Sequence, residues 1–338
     1  MTTAPQPSAS TEDDAPSSPS KTYETWPSVH VGRDGWLFLV EGTNNVIRSY
    51  RFTRSIGRRL RAWRTILRAR ARRLHGLGIG YLHVMVPEKL TVYDHKLDGL
   101  NVAVRLAPAL RVRRGLWWSP RARRACLDLV GLFRAARGGT DLFLRTDSHW
   151  SFEGRLLAYR AICAALRARP VEDFPERPSR TFEAYVGDLG EKLDPPVSET
   201  VRLYDLQRDA VRVDASPIVL AREAVGRADT LHVGARVVYR NAAAHADPRR
   251  VVLFGDSYAH FTPIMLTVML AESFAEVHFI WSAAVDWGYV ERVRPDLVIT
   301  EIAERFMNRV PDDDFDLDAY ADERFGAELA GTGHGASG

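Results

Sequence analysis

The stretch from Arg250 to Ile302 constrains the fold more than any other. Three apolar runs of strand length lie in it: Arg250-Val-Val-Leu-Phe254, Val277-His-Phe-Ile-Trp281 and Asp296-Leu-Val-Ile-Thr-Glu-Ile302. Segments of helical character separate them, Tyr258 to about Phe274 and Val285 to Val293. Runs that are apolar at consecutive positions suit strands covered on both faces. Strand alternating with helix then predicts an α/β fold with a parallel sheet and helices on both sides. Ile79 to Val86 (IGYLHVMV), closed by Pro87, has the same character.

Helical spacing runs from about Ser55 to Leu77, where Leu60, Trp63, Ile66, Leu67, Ala71 and Leu74 recur at three- and four-residue steps. Arg58, Arg59, Arg61, Arg64, Arg68, Arg70, Arg72 and Arg73 cover the other side. Further helices are expected over Ser119–Arg137 and Glu153–Arg169, with short strands at Trp36–Val40 and Leu142–Leu144. From Val171 to about Pro248, prolines and short alternating runs replace long helices. This segment, 171–248, reads as an irregular, partly β insertion, with Leu231–Tyr239 as strand. Residues 1–22, rich in Ser, Thr, Pro and acids, read as a disordered tail. Order begins near Trp26. Residues 311–338 read as a C-terminal tail, largely disordered at its end. A length of 338 residues is then one α/β domain over 23–310.

The composition excludes several classes. With 46% hydrophobic and 26% charged residues, the chain is neither disordered as a whole nor collagen-like. Cys126 and Cys163 lack metal spacing and read as buried thiols. No GxGxxG or GxxxxGK[ST] occurs, and no His/Cys/Asp set has zinc spacing, so neither a cofactor nor a metal is expected. No run approaches the length of a membrane span. The N-terminus shows no apolar signal region, so a cytoplasmic location is the expectation as the chain stands. Of 46 basic residues only Lys21, Lys89, Lys96 and Lys192 are lysine. The arginine excess is either background composition or an anion-binding face on the Ser55–Leu77 helix. That helix lacks interleaved aromatics, so nucleic acid is not an expected partner.

Two short motifs carry chemistry. Gly255-Asp-Ser257-Tyr258 follows an apolar strand directly. Ligands bind at the carboxyl ends of strands in open parallel sheets. Gly255 permits a tight turn, and the main-chain N–H of Ser257 or Tyr258 is placed to stabilise an oxyanion. The competing role for Ser257 is a helix N-cap. The second motif is Asp147-Ser-His149-Trp150. A serine nucleophile needs a base, and the base needs an orienting acid. In an extended segment Asp147 and His149 share a side. Trp150 either lines the site or packs in the core. His260, three residues after Ser257, is the weaker candidate base.

GDSY after a strand, with Asp-x-His-Trp ahead of it, resembles the SGNH/GDSL hydrolase superfamily, and within it the alginate O-acetyltransferase-like branch. There the Asp and His precede the serine, as they do here. Gly32-Arg-Asp-Gly-Trp-Leu-Phe-Leu39, Val86-Pro-Glu-Lys89-Leu-Thr-Val-Tyr93 and Gly187-Asp-Leu-Gly190 also resemble family segments. The resemblance implies a three-layer, flavodoxin-like fold and a triad of Ser257, His149 and Asp147. It implies transfer of an acyl group, through an acyl-serine, to a hydroxyl of a polysaccharide or glycan precursor. The donor would be an acetyl-coenzyme A or an acetylated, membrane-bound partner. Water as acceptor would make the same site an esterase, and loss of the triad would leave a glycan-binding scaffold. Arg305 and Asn308, beyond the last strand, are candidates for substrate contact. The family implies a periplasmic location as the alternative to the cytoplasm.

Overall fold

The computed structural model describes residues 28–42, 44–260 and 265–332. The expected tail at 1–22 and the start of order near Trp26 lie outside them. A short hairpin, β1 (Val29–Val31) and β2 (Leu37–Leu39), leads into helix α1 (Arg54–Gly76) and strand β3 (Gly80–Val86). Then come α2 (Lys89–Val92), α3 (Pro108–Gly115), α4 (Pro120–Ala125), the two-residue strand β4 (Cys126–Leu127), α5 (Leu129–Ala136) and α6 (Phe152–Leu166). The middle segment supplies β5 (Ser179–Tyr185), β6 (Glu199–Tyr204), β7 (Ala210–Ala215), α7 (Pro217–Ala224) and β8 (Arg236–Asn241). The last third is β9 (Asp247–Gly255), α8 (Leu266–Ala271), β10 (Phe274–Trp281), α9 (Trp287–Val293), β11 (Leu297–Ala303) and α10 (Leu317–Thr332).

The central sheet has the order β4-β3-β11-β9-β10-β8-β7. Pairing is parallel from β4 to β10. Alternate side chains of each central strand enter different cores. Val251 and Leu253 pack on one side with Ile299 and Phe279. Val252 and Phe254 pack on the other with Ile280 and Val298. Both faces are covered, which is why these strands read as unbroken apolar runs. Helix α1 buries Ile56, Leu60, Trp63, Leu67, Ala71 and Leu74, at about 1.5–3 kcal/mol for each large side chain. Its N-terminus is capped by Thr53, whose Oγ1 accepts from Ile56 N at 3.3 Å.

The expected α/β sheet is present, and the partly β middle segment extends it with β8 and β7, antiparallel at one edge, so that the sheet is mixed. The alternating burial of β7 suits such an edge. Three expectations are corrected. The strand expected at Leu231–Tyr239 forms later, at Arg236–Asn241. The helix expected over Ser119–Arg137 is broken by β4, which places Cys126 beside His83 in the sheet. Residues 317–332, expected to be tail, form α10. Leu317 and Phe325 are buried, Asp316 Oδ1 accepts from Ala319 N, and Arg222 pairs with Glu328.

Candidate active site

Strand β9 ends at Gly255, and the chain turns at once. No helix begins at Tyr258. Among the described residues the next helix is α8 at Leu266, so Ser257 sits on a turn and not on a helix N-terminus. Asp256 shapes that turn. Its Oδ1 accepts from Tyr258 N at 2.9 Å and its Oδ2 from Ala303 N at 2.8 Å. Its own N–H donates to Glu301 Oε2 at 3.0 Å. Gly255 is required for close approach rather than for an unusual φ. A Cβ there would lie 2.9 Å from Ala259 Cβ and 2.9 Å from Glu301 Oε2. Burial and the charge of Asp256 push the Glu301 carboxyl well above its ordinary range.

The histidine loop closes on itself by a bridge between Phe143 and Trp150. Asp147 and His149 meet through a bend rather than along an extended strand. Asp147 Oδ1 accepts from His149 N at 2.8 Å and from His149 Nδ1 at 2.7 Å. Asp147 Oδ2 accepts from Tyr185 OH at 3.1 Å and Asp188 N at 3.2 Å. His149 Nε2 then faces the Ser257 hydroxyl at 2.9 Å. With the proton on Nδ1, Nε2 turns its lone pair to the Ser257 hydroxyl and accepts from it. Burial of Asp147 opposes its charge, yet His149 and the main-chain donors hold its carboxyl well below the ordinary range. Burial of His149 opposes protonation, but the charge and hydrogen bond of Asp147 outweigh it and raise its pKa.

Three of the residues singled out in the sequence, Ser257, His149 and Asp147, therefore converge. The others take different places. Tyr258 N is occupied by Asp256, so it is not available to an oxyanion, whereas Ser257 N donates to no partner among the described residues. Trp150 does not line the site. It is buried between Phe133 and Tyr258, with ring centroids at 5.6 and 4.9 Å. Arg305 is buried and spends its guanidinium on the protein: Glu88 Oε1 at 2.6 Å, Ser148 Oγ at 2.7 Å and Tyr258 OH at 2.8 Å. Asn308 Nδ2 donates to the Asn44 carbonyl at 2.9 Å. His260 stacks on Phe279 at 4.8 Å, and burial lowers its pKa to about 4.

Sequence reasoning missed the residues that brace the loop. Asp188 accepts from Ser148 N and Ser148 Oγ, both at 2.6 Å. Gly187 lies so close that a Cβ would come within 2.5 Å of Asp147 Cβ. Lys89 donates to the carbonyls of Leu37 and Arg145 at 2.8 and 3.2 Å, and burial lowers its pKa to about 8. The Gly187-Asp-Leu and Glu88-Lys89 segments stood out in the sequence, but without a partner to assign them. Asp147, His149 and Asp188 place ligand-type atoms within 4.8 Å of one another. Those atoms already serve the hydrogen bonds just described.

A serine on a turn at the carboxyl edge of a central parallel strand, with a histidine and an aspartate lined up behind it in a three-layer sheet, is the build of an SGNH-type domain. The chain belongs to the family of the SGNH hydrolase-like domain, acetyltransferase AlgX, whose model matches residues 29–284. It is 28% identical over 169 residues to the probable alginate O-acetylase AlgJ of Pseudomonas aeruginosa, a match spanning 49% of this chain and 39% of that protein. The chain thus spans about two-fifths of the length of this curated relative. Among solved structures, the O-acetyltransferase domain of Pseudomonas putida AlgJ matches with a TM-score of 0.55 and 20% identity, over 88% of this chain and 98% of that one. Bacillus cereus PatB1 matches with a TM-score of 0.58 and 14% identity, over 83% and 97%. At these identities the two structures bear on the fold.

Proposed function

We propose that the chain is a serine-dependent O-acyltransferase that moves an acetyl group to hydroxyls of a polysaccharide or glycan precursor. The observation that carries this reading is the 2.9 Å approach of His149 Nε2 to Ser257 Oγ, with His149 Nδ1 held on Asp147. Naming of the curated relative as an alginate O-acetylase supports the choice of acetyl and of a sugar acceptor.

In this reading Ser257 Oγ attacks the acyl carbonyl of the donor while His149 Nε2 takes the hydroxyl proton. The Ser257 N–H faces the developing oxyanion. His149 returns the proton to the leaving group, and an acyl-serine remains. His149 then takes the proton of an incoming sugar hydroxyl, whose oxygen attacks the ester. The O-acetyl sugar leaves, and the proton returns to Ser257. Asp147 keeps the imidazole in the tautomer and orientation that both halves require. The donor is an acetyl thioester such as acetyl-coenzyme A, or an acetylated partner.

The experiment is labelling with a serine-directed phosphonyl probe, followed by acetyl release measured with and without an oligosaccharide acceptor. Label confined to Ser257, with release accelerated by the acceptor, is the expected result. Label that persists in Ser257→Ala overturns the nucleophile. Release indifferent to the acceptor makes the protein an esterase.

A further inference from the structure

The arginines of α1 find a use that the serine site does not explain. A groove of about 1090 Å³ runs between α1 and α3 and is lined by Arg54, Arg58, Arg61, Arg64, Arg68, Arg111 and Arg114. Among the described residues, no Asp or Glu lines it. Among the described residues, none of these seven arginines forms an ion pair. Arg68 donates to Ser119 Oγ and the Gly115 carbonyl, Arg111 to the Arg51 carbonyl and Arg114 to the Arg105 carbonyl. Many arginines elsewhere are paired with a carboxylate, as Arg73 is with Glu291 and Arg212 with Glu223. The groove therefore concentrates positive charge that the protein leaves for something external. Burial and the neighbouring charges of Arg68, Arg61 and Arg111 accordingly pull Arg64 below its ordinary pKa.

The second observation is aromatic. Phe52, Trp117 and Trp118 line the same groove and are 84%, 56% and 76% exposed. Phe52 lies at one end beside Arg111, at 5.6 Å. Trp117 and Trp118 follow α3 at the other, with ring centroids 3.8 Å apart. Between Arg54 and Arg68 the helix spans roughly 20 Å. Water-facing tryptophan and phenylalanine are costly unless they enter an apolar medium. Arginines flanked by exposed aromatic rings match an anionic bilayer surface, where phosphates take the guanidiniums and the rings settle at the headgroup level. A single-stranded nucleic acid would need rings interleaved along the arginine row, and here they stand at its two ends.

We infer that the α1–α3 face docks this domain on an anionic phospholipid surface, through the arginines of the groove and the rings of Phe52, Trp117 and Trp118. The face has a useful position. The N-terminal half of α1 abuts the turn Glu304–Asn308, with Trp63 Nε1 donating to the Met307 carbonyl at 3.0 Å. That turn leaves the carboxyl end of β11, the same end of the sheet that carries Ser257. Docking would thus hold the serine end of the domain near the membrane plane.

The full-length chain is tested by co-sedimentation with vesicles of phosphatidylcholine alone and of phosphatidylcholine mixed with phosphatidylglycerol. Binding to the anionic vesicles is expected, weakening as salt rises, with little on neutral ones. Arg58→Gln with Arg61→Gln should weaken it about 25-fold, taking about fivefold for each arginine. Trp117→Ala with Trp118→Ala should weaken it at least about fivefold. These positions are exposed, and a retained thermal midpoint shows that each variant folds; a variant that does not fold is replaced by its single substitutions. Serine labelling should be unchanged in all of them. Equal binding by the wild type and the arginine variants overturns the proposal. So does tighter binding to polygalacturonate or duplex DNA than to the vesicles, which would make the groove a polymer site.

Discussion

The Tyr258 hydroxyl donates to the Ser148 carbonyl at 2.5 Å. The residue after Ser257 is thereby bonded to the residue before His149, across 110 positions of sequence. Arg305 reaches both partners from a third segment. The two halves of the site are thus aligned by a bond between neighbours and not only by the triad itself. Tyr258→Phe removes the bond and leaves a buried carbonyl and guanidinium less satisfied, at about 1–3 kcal/mol. The expected outcome is a lower thermal midpoint and serine labelling slowed by about tenfold or more, because a small misplacement of reacting atoms is expensive in rate. Labelling at the wild-type rate would show that the bond is not needed for alignment.

Substitution of the triad should separate chemistry from folding. Ser257 is only half-buried, so Ser257→Ala should abolish labelling while the thermal midpoint holds. Asp147→Asn should cost about 10³–10⁴ in labelling rate, since an amide favours the wrong imidazole tautomer. It should also lower stability, because Asp147 accepts four hydrogen bonds. Labelling rates and melting curves on the same samples check both statements.

The raised pKa of His149 sets a pH dependence. Only the neutral imidazole can take the Ser257 proton, so labelling should rise with pH through a midpoint above the ordinary histidine value of about 6.5. Stability moves the other way. A histidine whose folded pKa lies above its unfolded value contributes stability that is fully present below the unfolded pKa and is lost as pH rises through the folded one. A labelling profile and urea midpoints across pH 5 to 9 test the pair. In Asp147→Asn the labelling midpoint should move down.

Arg305 is predicted to matter for stability rather than for binding substrate. Arg305→Met leaves Glu88 buried without its cation and should cost about 3–5 kcal/mol. Arg305→Lys should rescue little, since one ammonium does not reproduce a fork that spans Glu88, Ser148 and Tyr258. Urea unfolding of the two variants gives the answer.

Gly255→Ala should fail for steric reasons. The added methyl meets Ala259 and Glu301 at 2.9 Å, so the turn carrying Ser257 must shift, at about 1–3 kcal/mol. Slow labelling together with a modest loss of melting temperature is the expected signature.

The central strands were legible in the sequence because burial on both faces writes itself as consecutive apolar residues, as in Val251 to Phe254. Ser257, His149 and Asp147 were legible because each lies in a short motif whose chemistry has few alternatives. The turn at Tyr258 was not, because the apolar run to Phe274 looks helical from its start, whereas the next helix among the described residues begins only at Leu266. Asp188 and Glu88 were opaque for another reason. Each acts by hydrogen-bonding a residue far away in the chain, and no periodicity marks such a partnership. Arg305 was placed in the right region but given the wrong task, since nothing in a sequence separates a buried arginine from one that meets ligand. Helix α10 was missed although Asp316 offered a cap and Leu317, Tyr320 and Phe325 a sparse apolar side.

The sheet order has a consequence for how the chain can be made. Strand β11 lies between β3 and β9, which do not pair with each other. It is also the last strand in chain order among the described residues. Until synthesis has passed Asp296, the sheet exists at most as two separate pieces, one with β3 and β4, the other with β9, β10, β8 and β7. Asp256 closes its turn on Ala303, at the end of that final strand. The keystone thus arrives late, and a nascent chain released short of it would present two open strand edges to its neighbours and no assembled serine centre.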